Sequence, residues 1–142
     1  IIKKRTTISK DVNFDKAQKN LGKFVKPVQG TVVVKFKQEK AKGVSSNGIE
    51  INSKLGAQVK ASMKGKVIYV DKLQGLGKVI MVDYGYNTIG VYGNIISSKV
   101  KVNDRVSAGE TLGILGLSTE GKPNLYYEVR FNLKPINPEI MF

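Results

Sequence analysis

The chain has 142 residues, 41% of them apolar, and carries 24 basic against 11 acidic side chains for a formal net charge of +13. That is one domain's worth of chain with enough apolar residues to build a core, which excludes disorder over its bulk and leaves no room for several domains within this stretch. It contains no His and no Cys, so imidazole and thiolate metal ligands, His general bases, Ser–His and Cys–His nucleophile pairs and disulfides are excluded as well.

The first 23 residues form an arm: Lys-rich, Gly-poor and without period-2 alternation. The chain opens at Ile1-Ile2-Lys3-Lys4-Arg5, without Met or an apolar targeting stretch, and so reads as a fragment. Within the arm, Asn13 is placed to cap a short helix whose Phe14, Ala17 and Leu21 fall at i, i+3 and i+7, with Gly22 as its stop. From Phe24 onward, β-branched runs alternate with Gly and Asn-Asp punctuation. The pattern predicts strands at 31–36, 48–51, 58–61, 66–70, 78–84, 88–92, 111–115 and 125–131, an all-β, mainly antiparallel domain over residues 24–142.

Two of these strands carry particular information. Val79-Ile80-Met81-Val82 is apolar at successive positions and should be covered on both faces, yet it is far short of the roughly 18 residues of a membrane helix. In the last strand Leu125, Tyr127, Val129 and Phe131 point one way, while Asn124, Tyr126, Glu128 and Arg130 point the other. Elsewhere, Leu55–Ala61 and Val102–Gly109 look alike, each a tight turn followed by Val and a small residue. Ala61-Ser62-Met63-Lys64-Gly65 invites a biotin-acceptor reading of Lys64, but its surroundings make it a solvated turn leading into a strand.

The order of several short pieces resembles the lysostaphin-like, or LytM, zinc metallopeptidase domain. They are Pro27-Val28-x-Gly30, Asn47-Gly48-Ile49-Glu50-Ile51, Gly56-x-x-Val59-x-Ala61, Gly65-x-Val67 and Gly75-Leu76-Gly77-x-Val79-Ile80-x-Val82. Val91-Tyr92-Gly93-Asn94, Val102-x-x-x-Val106-x-x-Gly109, Asn124-Leu125-Tyr126-Tyr127-Glu128-Val129-Arg130 and Pro135-Ile136-Asn137-Pro138 complete the set. The resemblance implies a duplicated hybrid barrel with the short helical arm in front of it. It also places the family's metal-binding and catalytic residues on Ser46, Glu50, Asn94, Asn124 and Tyr126. Only Glu50 among these suits a cation, whereas zinc sites use three or four convergent N, S or O ligands. The resemblance therefore implies a pseudo-peptidase with no metal and no cofactor.

The pattern is most similar to the EnvC-type branch, degenerate domains that switch on N-acetylmuramoyl-L-alanine amidases in the periplasm of Gram-negative bacteria during septal peptidoglycan splitting. This likeness implies a partner-binding groove built from Asn47, Glu50, Leu76, Tyr92, Tyr126 and Arg130, with Asn94 and Asn124 beside them. It implies a periplasmic zinc amidase as partner, and a membrane transporter of the division machinery reached through an upstream coiled coil. Plainer readings stand next to these: Tyr92 as a barrel tyrosine with a satisfied hydroxyl, Arg130 paired with Glu128 or Glu50, and the lysines of residues 3–42 as a solvated face. The charge excess fits anionic wall polymer or lipid headgroups; nucleic acid is not expected, since no nucleic-acid-binding motif with interleaved aromatics is present. A non-catalytic peptidoglycan-binding or scaffold module, or a partner of an active LytM peptidase, is the alternative function class.

Overall fold

A computed structural model describes residues 13–142, so residues 1–12 of the predicted arm lie outside the described residues. The helix expected next is present as α1, Phe14–Leu21: the Asn13 side chain accepts from Lys16 N at 2.8 Å, and Gly22 ends it at φ 79°. Ala17 is buried, and Phe14 meets Phe131 edge-on with ring centroids 5.5 Å apart. The helix is therefore packed onto the β domain, at the Phe131 end of its last long strand.

Twelve strands follow: β1 Thr31–Val34, β2 Glu39–Ala41, β3 Val44–Ser45, β4 Ile49–Asn52, β5 Gln58–Lys60 and β6 Gly65–Leu73, then β7 Gly77–Gly85, β8 Thr88–Ser98, β9 Arg105–Val106, β10 Thr111–Leu115, β11 Asn124–Phe131 and β12 Lys134–Ile136. Ten form one antiparallel sheet with the path β1-β4-β11-β8-β7-β6-β9; β10 joins β5 to β8, and β12 lies on β11. The β2–β3 hairpin pairs only with itself. The all-β antiparallel expectation holds, and all eight predicted strands are found. The four short ones, β2, β3, β9 and β12, were not expected from the sequence.

The β7–β8 hairpin turns on Tyr86-Asn87, both at positive φ (52° and 57°), the primed geometry that matches strand twist in two-residue loops. Strand β8 runs past its predicted end at Tyr92 because its second half changes partners and pairs with β10, Ile95 opposite Leu115. The run Val79–Val82 is buried throughout, as its unbroken apolarity predicts: Ile80 and Val82 enter the main core, while Val79 and Met81 join Ile68, Tyr69, Ile89 and Val91 in a second cluster.

The main core holds three tyrosines, Tyr84, Tyr92 and Tyr127. Their hydroxyls satisfy one another: Tyr84 bonds Tyr92, Tyr84 and Tyr127 lie 3.0 Å apart, and Ser62 N donates to Tyr92 Oη at 2.8 Å. Left unpaired, each buried hydroxyl would cost about 1–3 kcal/mol. Pairing lets the rings contribute as large apolar bodies. Burial pushes all three hydroxyls above their ordinary range, so they stay protonated donors.

Candidate functional site

Strand β11 divides the molecule as its alternation predicts. Leu125, Tyr127 and Val129 are fully buried in the core, while Asn124, Tyr126, Glu128 and Arg130 form the opposite, polar face. Neighbouring β4 brings Glu50 opposite Tyr126, and β8 brings Gly93 opposite it from the other side. The Tyr126 ring lies over a floor of two glycines. A Cβ at Gly93 would stand 3.3 Å from Tyr126 Cβ, and one at Gly48 would collide with Tyr127 O at 2.4 Å and press on the Tyr126 ring at 3.1 Å. The close approach of β11 requires glycine at position 48 and leaves position 93 tight for any side chain.

A narrow cleft of about 70 Å³ opens here, lined by Glu50, Leu76, Asn94 and Tyr126, and closed by Lys40 from the β2–β3 hairpin and by the loop Ser118–Glu120. Four predicted groove residues thus converge on it. Asn124 lies beneath, buried, and Asn47 is exposed on the approach to β4. Arg130 stands two register steps further along β11, on the same face.

The polar groups are interlocked. Asn52 Nδ2 donates to Asn124 Oδ1 at 2.9 Å, Asn124 Nδ2 to Glu50 Oε1 at 3.3 Å, and Lys40 Nζ forms an ion pair with Glu50 Oε2. Asn94, at φ 67°, donates through Nδ2 to Asn124 O at 2.9 Å while its own carbonyl accepts from Gly116 N. Along β11, Tyr126 Oη donates to Glu128 Oε2 at 2.6 Å, Arg130 Nη1 to Glu128 Oε1 at 2.6 Å, and Arg130 Nη2 to Leu133 O at 2.7 Å. Burial, followed by the Glu128 carboxylate beside it, raises the Tyr126 hydroxyl well above the tyrosine range and keeps it a donor. Of the two partners expected for Arg130, Glu128 is the one used.

Tyr92 corrects the sequence expectation. It is fully buried, packed on Tyr127 with ring centroids 5.0 Å apart, and its hydroxyl is engaged in the core. Strand parity explains why: Gly93 is the β8 residue opposite Tyr126, so Tyr92, one residue earlier, faces the interior. Lys40 and Glu120 are the participants sequence reasoning missed. Lys40 was one lysine among many in an exposed stretch, and a short exposed hairpin leaves no periodic signal.

The fold implies a zinc site, and the donor chemistry does not fit one. The five positions carry a hydroxyl already donated to Gly48 O (Ser46), a carboxylate neutralised by an ammonium (Glu50), two amides bonded to their neighbours (Asn94, Asn124) and a phenol held by Glu128 (Tyr126). Among the described residues no group of three or more His, Cys, Asp or Glu is arranged to hold a metal.

Residues 44–138 match the model of peptidase family M23. The chain is 33% identical over 114 residues to the murein hydrolase activator EnvC of Escherichia coli, an alignment covering 80% of this chain and 27% of that protein. It is 28% identical over 129 residues to the cell division protein DipM of Caulobacter vibrioides, covering 84% and 21%. The chain thus spans about a quarter of the length of these curated relatives. A chain from the SpoIIQ–SpoIIIAH pore-forming complex shares the fold with a TM-score of 0.76 at 23% identity, over 86% of this chain and 92% of that one. Lysostaphin in solution does so with a TM-score of 0.68 at 20% identity, over 77% and 48%.

Proposed function

The chain belongs to peptidase family M23, and we propose that within it this domain is non-catalytic, binding and activating a murein hydrolase of the N-acetylmuramoyl-L-alanine amidase class in the periplasm. The observation that carries the reading is the donor set of the cleft. Water activation in this family's manner needs a metal that lowers the pKa of bound water to about 7. Five side chains already committed to hydrogen-bond or ionic partners, in a chain without His, supply no such centre. Relatives named murein hydrolase activators supply the direction of the alternative.

The polar face of β11 suits capture of a helix from the partner. Shifting an enzyme from 1:99 to 99:1 open takes about 5.5 kcal/mol of differential binding. Leu76, Tyr126 and Arg130 offer an aliphatic, an aromatic and a guanidinium anchor, and hot-spot residues contribute about 2 kcal/mol or more each. An amphipathic helix laid into a groove is the recognition mode this surface fits. The test mixes purified domain with amidase on isolated cell wall. Tyr126→Ala and Arg130→Ala should each lower activation at least tenfold; full activation by both variants overturns the groove. The charge of +13 favours one second reading, a domain held on anionic wall polymer. Retention on isolated sacculi without amidase, lost at raised salt, would identify it.

A further inference from the structure

We propose that Lys40 is the resident cation of the cleft, and that through it the β2–β3 hairpin is latched over Glu50 until a partner displaces it with a basic side chain of its own. The inference rests on the partner-binding reading only for that displacement.

Glu50 is 4% exposed, and a carboxylate so buried is costly unless its charge is matched. Its two partners are the Asn124 amide, which is neutral, and the Lys40 ammonium. Lys40 therefore supplies the whole of the counter-charge. The two ends of this pair differ: the Lys40 side chain is 41% exposed and can return to water cheaply, whereas Glu50 cannot.

The hairpin that carries Lys40 has little else to hold it. Residues 37–45 are exposed without exception, Val44 included, and β2 and β3 pair with no other strand. An isolated two-stranded ribbon is marginally stable in water. Its base is closed by Lys37 N on Ser46 O and Ser46 N on Gln38 O, and Gln38 Oε1 accepts from Lys35 N; beyond that base, among the described residues, Lys40–Glu50 is the side-chain bond that ties the ribbon to the body. The position of the ribbon's outer part over the cleft thus rests on one exchangeable ion pair.

The cleft it closes is narrow, about 70 Å³, and Lys40 stands in its lining, so an incoming anchor side chain meets the hairpin first. Lifting the hairpin makes room but takes from Glu50 its cation. An incoming segment that presents a Lys or Arg restores the charge balance; a wholly apolar or acidic one does not. The cleft is thereby selective for a cationic group, in a protein whose net charge is strongly positive.

The experiment compares the wild-type chain with Lys40→Met, Lys40→Arg and Glu50→Gln, each first checked for an unchanged unfolding midpoint or, failing that, studied well below it. Amide hydrogen exchange at residues 38–45 should accelerate about tenfold in Lys40→Met and Glu50→Gln and stay within about twofold of wild type in Lys40→Arg. The double variant should exchange no faster than either single one. Unchanged exchange in Lys40→Met and Glu50→Gln overturns the latch. Binding of the amidase should tighten about tenfold in Lys40→Met, where no lysine has to leave, but not in Glu50→Gln, where the cation site is gone. Accelerated exchange with equal amidase affinity for wild type and Lys40→Met overturns the displacement step. Accelerated exchange with no amidase binding by any variant sustains the latch and overturns the partner reading.

Discussion

Tyr126 and Tyr127 are successive residues on one strand, and their surroundings have little in common. Tyr127 is sealed among Tyr84, Tyr92 and Phe142, with hydroxyls answering hydroxyls and no charge in reach of them. Tyr126 lies half-buried on a glycine floor beside carboxylates, an ammonium and a guanidinium. One face of β11 is closed within the core and the other is paired at the surface. On the inner face, polar atoms are satisfied by groups held within the core; on the outer face, each buried carboxylate is satisfied by a long cationic side chain that stays partly exposed.

The largest effect should come from emptying the inner face. Tyr92→Ala should lower unfolding free energy by about 3–5 kcal/mol, the range for removing a buried aromatic ring, read as a shift in denaturant midpoint at unchanged slope. A loss of similar size in Tyr126→Ala would break the comparison, since that ring is only partly enclosed. Next, Arg130→Ala should cost about 2 kcal/mol, because it leaves Glu128 buried with its cation gone; the 23% exposure of Arg130 keeps the figure below that of a fully interior pair. Glu128→Gln in the same background should recover part of the loss.

Tyr92→Phe should cost about 1–2 kcal/mol by orphaning Ser62 N and taking one of its two partners from the Tyr84 hydroxyl. The tyrosine cluster also sets an alkaline limit. In the unfolded chain these hydroxyls ionise near pH 10, while burial holds their protons in the folded state. The folded form therefore binds more protons above pH 10, so stability is intact below that value and falls as pH rises beyond it. Unfolding free energy measured from pH 8 to 11 should show this decline, less steep in Tyr92→Phe. The smallest effect expected is Asn13→Ala, about 1 kcal/mol for a lost N-cap, seen as earlier melting of α1.

The sequence made visible what repeats or alternates. Strand β11 betrayed both its faces through strict period 2, and Val79–Val82 announced its double burial by having no polar residue to show to water. The Asn13 cap and Gly22 stop were legible because cap chemistry is local. Strands β2 and β3 were not, since a ribbon whose side chains all reach water is under no constraint to alternate. β9 has two residues, too few to carry a period, and β12 contains Pro135, which donates nothing to a ladder. Within the cleft, Glu50, Leu76, Asn94 and Tyr126 were reached through resemblance to a known domain. Tyr92 was misplaced by the same route, because a motif match transfers residue types without checking which way the strand turns them. Lys40 could not have been found by either: its significance lies in a contact across ten residues, made by a hairpin with no pattern.

The interlocked side chains also bear on which substitutions the cleft can accept. A histidine introduced alone at position 124 would orphan Asn52 and remove one of the two groups on Glu50; one at position 126 would have to displace a phenol seated on Gly48 and Gly93 and bonded to Glu128. Each such substitution forfeits a bond before any ion is there to replace it, and such losses do not simply add. Mutual bonding of this kind acts as a ratchet: a set of metal ligands lies several simultaneous substitutions away, and changes made one residue at a time do not lead there.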